Sequence, residues 1–187
     1  MSCPKCLPNL ITIARMLLVP VVVWLIITGR TGLAFALFIL AGISDGVDGY
    51  IAKRWNMRTE LGAWLDPLAD KLLLISIYVT LAVMDQLPAW LAITVVSRDV
   101  LIVGGVVLAW IMDMPVKMRP LWISKVNTTA QILFAGGFLL FRGQGWETGA
   151  LVFYGAPVVA AFTVASGALY LIQWMAHMQQ ANGDETT

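Results

Sequence analysis

Four aspartates interrupt strongly apolar stretches: Asp45, Asp48, Asp66 and Asp70. A charge inside a membrane helix costs roughly 2.5–3.5 kcal/mol on insertion scales, so it persists only when it is paired, wet or bound to an ion. Asp45 and Asp48 are spaced i, i+3, and Asp66 and Asp70 i, i+4, so each pair shares a helix face. Crowded carboxylates repel unless cations neutralise them, and hard divalent ions such as Mg²⁺ or Mn²⁺ favour such oxygens. The stretch holds no cysteine or histidine, which argues against zinc or copper. Two such ions would suit phosphoryl transfer, neutralising phosphates and stabilising the leaving oxygen. The plainer alternative is a structural proton or ion site without catalysis. Gly46 and Gly49 beside the acids weigh against it, because glycine lets a ligand approach the backbone closely.

The elements that must position these acids are membrane helices. The chain has 187 residues, 59% of them apolar and 12% charged, where a soluble domain carries about a quarter charged. Six apolar spans are expected, at 9–28, 33–54, 61–84, 88–111, 124–141 and 149–175, separated by polar, glycine- or proline-containing breaks. The fold class predicted is an all-α integral membrane protein, one domain over 1–187, with a short tail at 1–7 and a polar, frayed tail at 179–187. The first apolar run lacks a small-residue cleavage site and is expected to stay as a span. The short break after the second span predicts that the second and third helices are antiparallel neighbours, so that the four acids converge in a cleft. Lys5, Lys53, Arg54, Arg58, Lys117, Arg119 and Lys125 fall on the side of the termini, and only Arg30 and Arg142 on the other. The positive-inside rule makes the termini and the acid cleft cytoplasmic. Arg15, Lys71 and Arg98 sit within or near spans. A net charge of +1 makes nucleic acid an unexpected partner. Cys3 and Cys6 lack the second ligand pair of a structural zinc site and read as incidental. There is no internal repeat.

The string Asp45-x-x-Asp48-Gly49-x-x-Ala52-Lys53, followed by Gly62-x-x-x-Asp66-x-x-x-Asp70, resembles the signature of the CDP-alcohol phosphatidyltransferases. Pro8-Asn9-Leu10-Ile11-Thr12-x-x-Arg15 is similar to that family's entry into its first membrane helix. One departure exists: Lys53 stands where the signature usually has arginine, keeping the charge but losing the planar fork. The resemblance implies six transmembrane helices, commonly in a homodimer, around a polar cavity open to the cytoplasm. It implies two divalent cations held by Asp45, Asp48, Asp66 and Asp70, with Asp70 as general base. Asp45, Gly49 and Lys53 would bind the CDP group. It places the chain in a bacterial cytoplasmic (inner) membrane.

The later segments bear on the acceptor. Val96-Ser97-Arg98-Asp99 and Ile123-Ser124-Lys125-Val126-Asn127-Thr128 resemble the CMP-forming cardiolipin synthases within that family. Relatives that make phosphatidylglycerol phosphate usually have Arg-Glu at the first place and a second lysine where Asn127 stands. A dianionic monoester such as glycerol 3-phosphate favours extra lysines, whereas the phosphodiester of phosphatidylglycerol needs fewer. The expected reaction is therefore CDP-diacylglycerol plus phosphatidylglycerol giving cardiolipin and CMP, with Arg98, Arg119 and Lys125 on the acceptor phosphate. The alternatives are a glycerol-3-phosphate phosphatidyltransferase and, from another class, a non-catalytic membrane ion-binding protein or transporter. For Arg98 and Asp99 the structural alternative is a buried ion pair. For Lys125 it is a lysine snorkelling to the interface. Gly104, Gly105, Gly136 and Gly137 are expected to permit helix packing.

Overall fold

The computed structural model describes the backbone of residues 7–54, 60–111 and 122–184, and the side chains of 13–44, 69, 71–105 and 122–175. Its elements are α1 (Leu7–Ile27), α2 (Thr31–Arg54), α3 (Glu60–Val83), α4 (Ala89–Ile111), α5 (Trp122–Gly143) and α6 (Gly149–Asp184). Six helices and no strand occur among the described residues. Each coincides with one expected span to within a few residues, except that α6 runs on to Asp184. The first part of the segment expected to be a frayed tail is therefore helical. Gln179 and Gln180 are good helix formers, and no proline interrupts that stretch. Asp85 occupies the left-handed region, with φ 55°, in the tight turn between α3 and α4. There Asp85 N–H donates to the Ala82 carbonyl and Gln86 N–H to that of Leu81.

The helices form a closed circuit in the order α1, α2, α5, α6, α4, α3, and α3 also touches α5 across the middle. The sequence reading of α2 and α3 as antiparallel neighbours concerns the ends joined by residues 55–59, whose side chains lie outside the described residues. Among the described residues each of the two packs on α1 and on α5. The short connection holds their joined ends near each other, but a gap separates them further along, and α1, α4 and α5 also line that gap.

The core is a cluster of Val22, Ile26, Ile77, Tyr78, Leu81, Leu91, Val95, Phe138 and Leu139, all 1% exposed or less. Polar side chains are buried beside it: Arg15, Arg98, Asp99, Asn127, Gln131, Thr163 and Ser166. Large apolar side chains such as Leu17, Trp24, Leu133, Phe153 and Ile172 face outward. Water selects the opposite distribution; hydrocarbon tolerates it, because polar groups must then be satisfied inside the bundle. Among the described residues, one run, Gly149–Met175 (27 residues, mean hydropathy 1.7), is long and apolar enough to cross a membrane alone. Shorter apolar helical runs are Ile13–Ile27, Thr31–Ser44 and Lys71–Val83.

Of the glycines expected to permit packing, Gly136 does so, against Phe38, while Gly104 faces open space. The tightest approach is elsewhere. A Cβ on Gly143, at the end of α5, would stand 2.5 Å from the Cα of Gly32 at the start of α2. Two backbones meet there, and neither can yield as a flexible side chain would. Gly143→Ala is accordingly expected to lower the thermal midpoint of the detergent-solubilised protein, at an overpacking cost of about 1–3 kcal/mol. Gly104→Ala, with nothing within 4 Å of its Cβ, is expected to leave the midpoint unchanged or raise it.

Candidate active site

Asp45 and Asp48 lie in the second half of α2, and Asp66 and Asp70 in the first half of α3, toward the ends joined by residues 55–59. Gly49 and Lys53 follow on α2. The side chains of these six residues lie outside the described set, as does all of Arg119. Among the described side chains, no group of three or more His, Cys, Asp or Glu gathers to hold a metal.

The described residues next to the acids outline the gap between α2 and α3. It is a cavity of about 430 Å³. Gly42 and Ile43, just before Asp45, form part of one wall, and Lys71, the residue after Asp70, part of the other. Arg15 of α1, Asp99 of α4, and Thr128 and Gln131 of α5 supply its polar side. Phe38, Ile39, Leu73, Leu74 and Ile132 supply an apolar side, and Ile39, Ile43 and Ile132 are also exposed on the outer surface. A charged end joined to an apolar wall that reaches the outside of the bundle is what a lipid phosphate and its chains require. No thiol or imidazole lines it. The four neighbouring acids offer only carboxylate oxygens, a donor set that fits Mg²⁺ or Mn²⁺.

The cavity's charges are organised around one oxygen. Asp99 Oδ1 accepts from Lys71 Nζ at 2.5 Å and from Arg98 Nη1 at 2.7 Å. Arg98 Nη2 donates to Ser124 Oγ at 2.6 Å and to Ser166 Oγ at 2.7 Å, and its Nε is buried without a hydrogen-bond partner. One guanidinium thus ties α4 to α5 and α6, and one carboxylate ties α4 to α3. The buried ion pair considered for Arg98 and Asp99 is present. Lys125 is not brought to Arg98. It lies on the exposed face of α5, with Nζ 5.6 Å from the ring centroid of Trp122, itself 81% exposed. That is an interfacial, snorkelling position.

Asn127 departs from its expected role. It is fully buried between α5 and α6 and is absent from the cavity lining. Its Oδ1 accepts from Thr163 Oγ1 at 2.8 Å, and Thr163 Oγ1 accepts from Gln131 Nε2 at 3.1 Å. Tyr78 Oη donates to the Gln131 carbonyl at 3.0 Å and brings α3 into the same network. Asn127 therefore joins helices rather than reading an acceptor. Sequence reasoning paired Asp99 with Arg98 but assigned no partner to Lys71, Ser124, Thr163 or Ser166 in these two networks. The available signal was that Lys71 and Asp99 are opposite charges in two apolar spans, each in need of a partner. Asn127→Lys is expected to place an unpaired cation among buried groups. Loss of folded protein on size-exclusion chromatography, without a change of acceptor, is the outcome that checks this.

Residues 5–178 match the family model for CDP-alcohol phosphatidyltransferase. The chain is 36% identical over 152 residues to a human protein named cardiolipin synthase (CMP-forming), covering 73% of this chain and 50% of that one. It is 38% identical over 146 residues to a Drosophila melanogaster protein named probable cardiolipin synthase (CMP-forming), covering 70% and 45%. It is 32% identical over 168 residues to the Escherichia coli K12 protein named CDP-diacylglycerol–glycerol-3-phosphate 3-phosphatidyltransferase, covering 84% and 90%. The chain spans about half the length of the human and fly proteins.

Proposed function

The chain belongs to the CDP-alcohol phosphatidyltransferase family, and from that premise we propose that it transfers a phosphatidyl group from CDP-diacylglycerol to phosphatidylglycerol, giving cardiolipin and CMP. The observation that carries a lipid substrate is the cavity beside the signature, with Arg15, Lys71 and Asp99 at its polar side and isoleucines on its apolar one. The acyl chains of CDP-diacylglycerol need such a wall with either acceptor, and the likeness to the human and fly proteins named cardiolipin synthase is what favours phosphatidylglycerol.

In this reading Asp45, Asp48, Asp66 and Asp70 hold two divalent cations, Mg²⁺ or Mn²⁺. When bound, these would neutralise the pyrophosphate and stabilise the departing CMP oxygen. Gly49 leaves room for the CDP group, which Asp45 and Lys53 contact. Asp70 takes the proton from the acceptor hydroxyl as that oxygen bonds to the phosphorus bearing diacylglycerol. The bond from that phosphorus to the CMP oxygen breaks. A ligated carboxylate is a weak base, so this transfer falls late in the step. Arg119 and Lys125 attract the acceptor phosphate at the membrane surface, whereas Arg98, expected from the sequence as a third contact, adds its positive charge from behind Asp99, Ser124 and Ser166.

The same reading makes the chain a single-domain, six-span protein of the bacterial cytoplasmic membrane, a homodimer with its termini and active site in the cytoplasm. The outward apolar side chains and inward polar ones support it, as does the excess of basic residues on one side. A second reading, transfer to glycerol 3-phosphate, is favoured by the match to nearly the whole Escherichia coli protein. Purified protein given CDP-diacylglycerol is expected to release CMP with phosphatidylglycerol and not with glycerol 3-phosphate. The reverse result would replace the acceptor and keep the chemistry. Release with neither would leave a non-catalytic ion-binding protein or a different alcohol.

Asp45→Asn, Asp48→Asn and Asp66→Asn each remove one charge and one strong ligand at nearly constant shape. Each is expected to lose most CMP release and to weaken Mn²⁺ binding, while Asp70→Asn should stop turnover and still bind CDP-diacylglycerol. Full activity in any of the four variants would remove that residue from the site.

A further inference from the structure

The geometry points to Asp99 as a positioning residue for the acid-bearing half of α3, acting through Lys71; this rests on the metal-dependent transfer proposed above and adds to it. Lys71 is the residue immediately after Asp70, so whatever fixes Lys71 fixes the height and rotation of the helical turn that carries Asp70. Its ammonium is held at 2.5 Å by Asp99 on a different helix. Asp99 is in turn held in place: its side chain is 5% exposed, and the same Oδ1 accepts from Arg98, which is anchored to Ser124 and Ser166. The chain of contacts therefore runs from α6 and α5 through Arg98 to Asp99, and from Asp99 to the catalytic turn of α3. The remaining described packing of α3 starts at Ala69 and continues through Leu73, Leu74 and Ile77. The Lys71–Asp99 contact adds to them a charged attachment of α3 to α4, the described polar contact nearest in sequence to Asp70, and a charge-assisted hydrogen bond is stronger than a neutral one.

The sign of the electrostatics makes this testable. Lys71 is a cation close in sequence to the metal-binding positions, and removing it should by Coulomb attraction alone tighten the binding of a divalent cation. If Lys71 instead sets the geometry of the ligands, its removal weakens that binding. Lys71→Met is the decisive variant, since it leaves the Arg98–Asp99–Ser124–Ser166 contacts intact, whereas Asp99→Asn takes the carboxylate from the buried Arg98 as well as from the one-third-exposed Lys71 and endangers folding. Mn²⁺ binding to detergent-solubilised protein without lipid substrate, read by electron paramagnetic resonance of free Mn²⁺, is the first measurement. Steady-state CMP release is the second. For Lys71→Met we expect Mn²⁺ affinity and kcat each to fall about 10-fold or more, as for other residues that orient metal ligands. The KM for phosphatidylglycerol should stay near the wild-type value. Lys71→Arg should restore most of both losses. Where the double variant Lys71→Met/Asp99→Asn folds, it should be no worse than Asp99→Asn alone, since both act through one contact.

Tighter or unchanged Mn²⁺ binding in Lys71→Met, or an unchanged kcat, overturns the inference. A raised KM with kcat and Mn²⁺ affinity intact also overturns it, by making Lys71 a substrate contact. A wild-type protein that neither binds Mn²⁺ nor releases CMP fails at the earlier level, and the proposed function falls first.

Discussion

A single carboxylate oxygen of Asp99 receives both the ammonium of Lys71 and the guanidinium of Arg98, and the arrangement of α3, α4, α5 and α6 follows from it. These three charges lie in helices whose surroundings are almost wholly apolar. Separately, each would demand water; together they leave one net positive charge, spread over a guanidinium with two serine partners and an ammonium one-third exposed to the cavity. The polar layer continues through Asn127, Thr163 and Gln131 to Tyr78. Where hydrophobic attraction between helices is weak, such layers select one arrangement among many of similar packing energy.

Beside this layer lies the cavity between α2 and α3. The circuit of helices lodges each of the two against α1 and α5 and leaves the cavity between their described portions. Its walls differ in kind. The charged side comes from α1, α3 and α4, and the apolar side largely from α2, with two leucines of α3 and Ile132 of α5. A molecule with a phosphate at one end and hydrocarbon at the other can satisfy both sides at once.

The helices were legible in the sequence because each span is an unbroken apolar run bounded by glycine, proline or charge, and that signal needs no tertiary information. Helix α6 overran its expected end because a polar stretch without proline can continue a helix, and polarity alone does not stop one. The pairing of the remaining spans was not legible, because a loop's length limits only the ends that it joins: nothing in the sequence places α2 on α5 or α4 on α6. The site divides in the same way. The aspartates announced themselves by type and spacing. Asn127 misled, because a polar residue in a span can serve a ligand or a neighbouring helix, and only the placement of Thr163 decides between them. Lys125, the residue after the Ser124 that Arg98 engages, shows how a rotation of about 100° per residue turns sequence neighbours onto different faces.

The backbone contact between Gly32 and Gly143 gives the cavity a mechanical character. It joins α2 to α5 at the end away from the acids, while the same two helices form facing walls of the cavity at Ile39 and Ile43 on one and Thr128 and Ile132 on the other. Ile43 lies about 16 Å along α2 from that contact at 1.5 Å per residue. The pair is thus a lever with its fulcrum at one membrane surface. A tilt of about 6° at the glycines would change the width at Ile43 by about 1.7 Å over that arm. Because α2 takes no part in the polar layer that ties α3, α4, α5 and α6, a tilt of α2 about the glycines would let lipid chains enter or leave sideways without parting that layer.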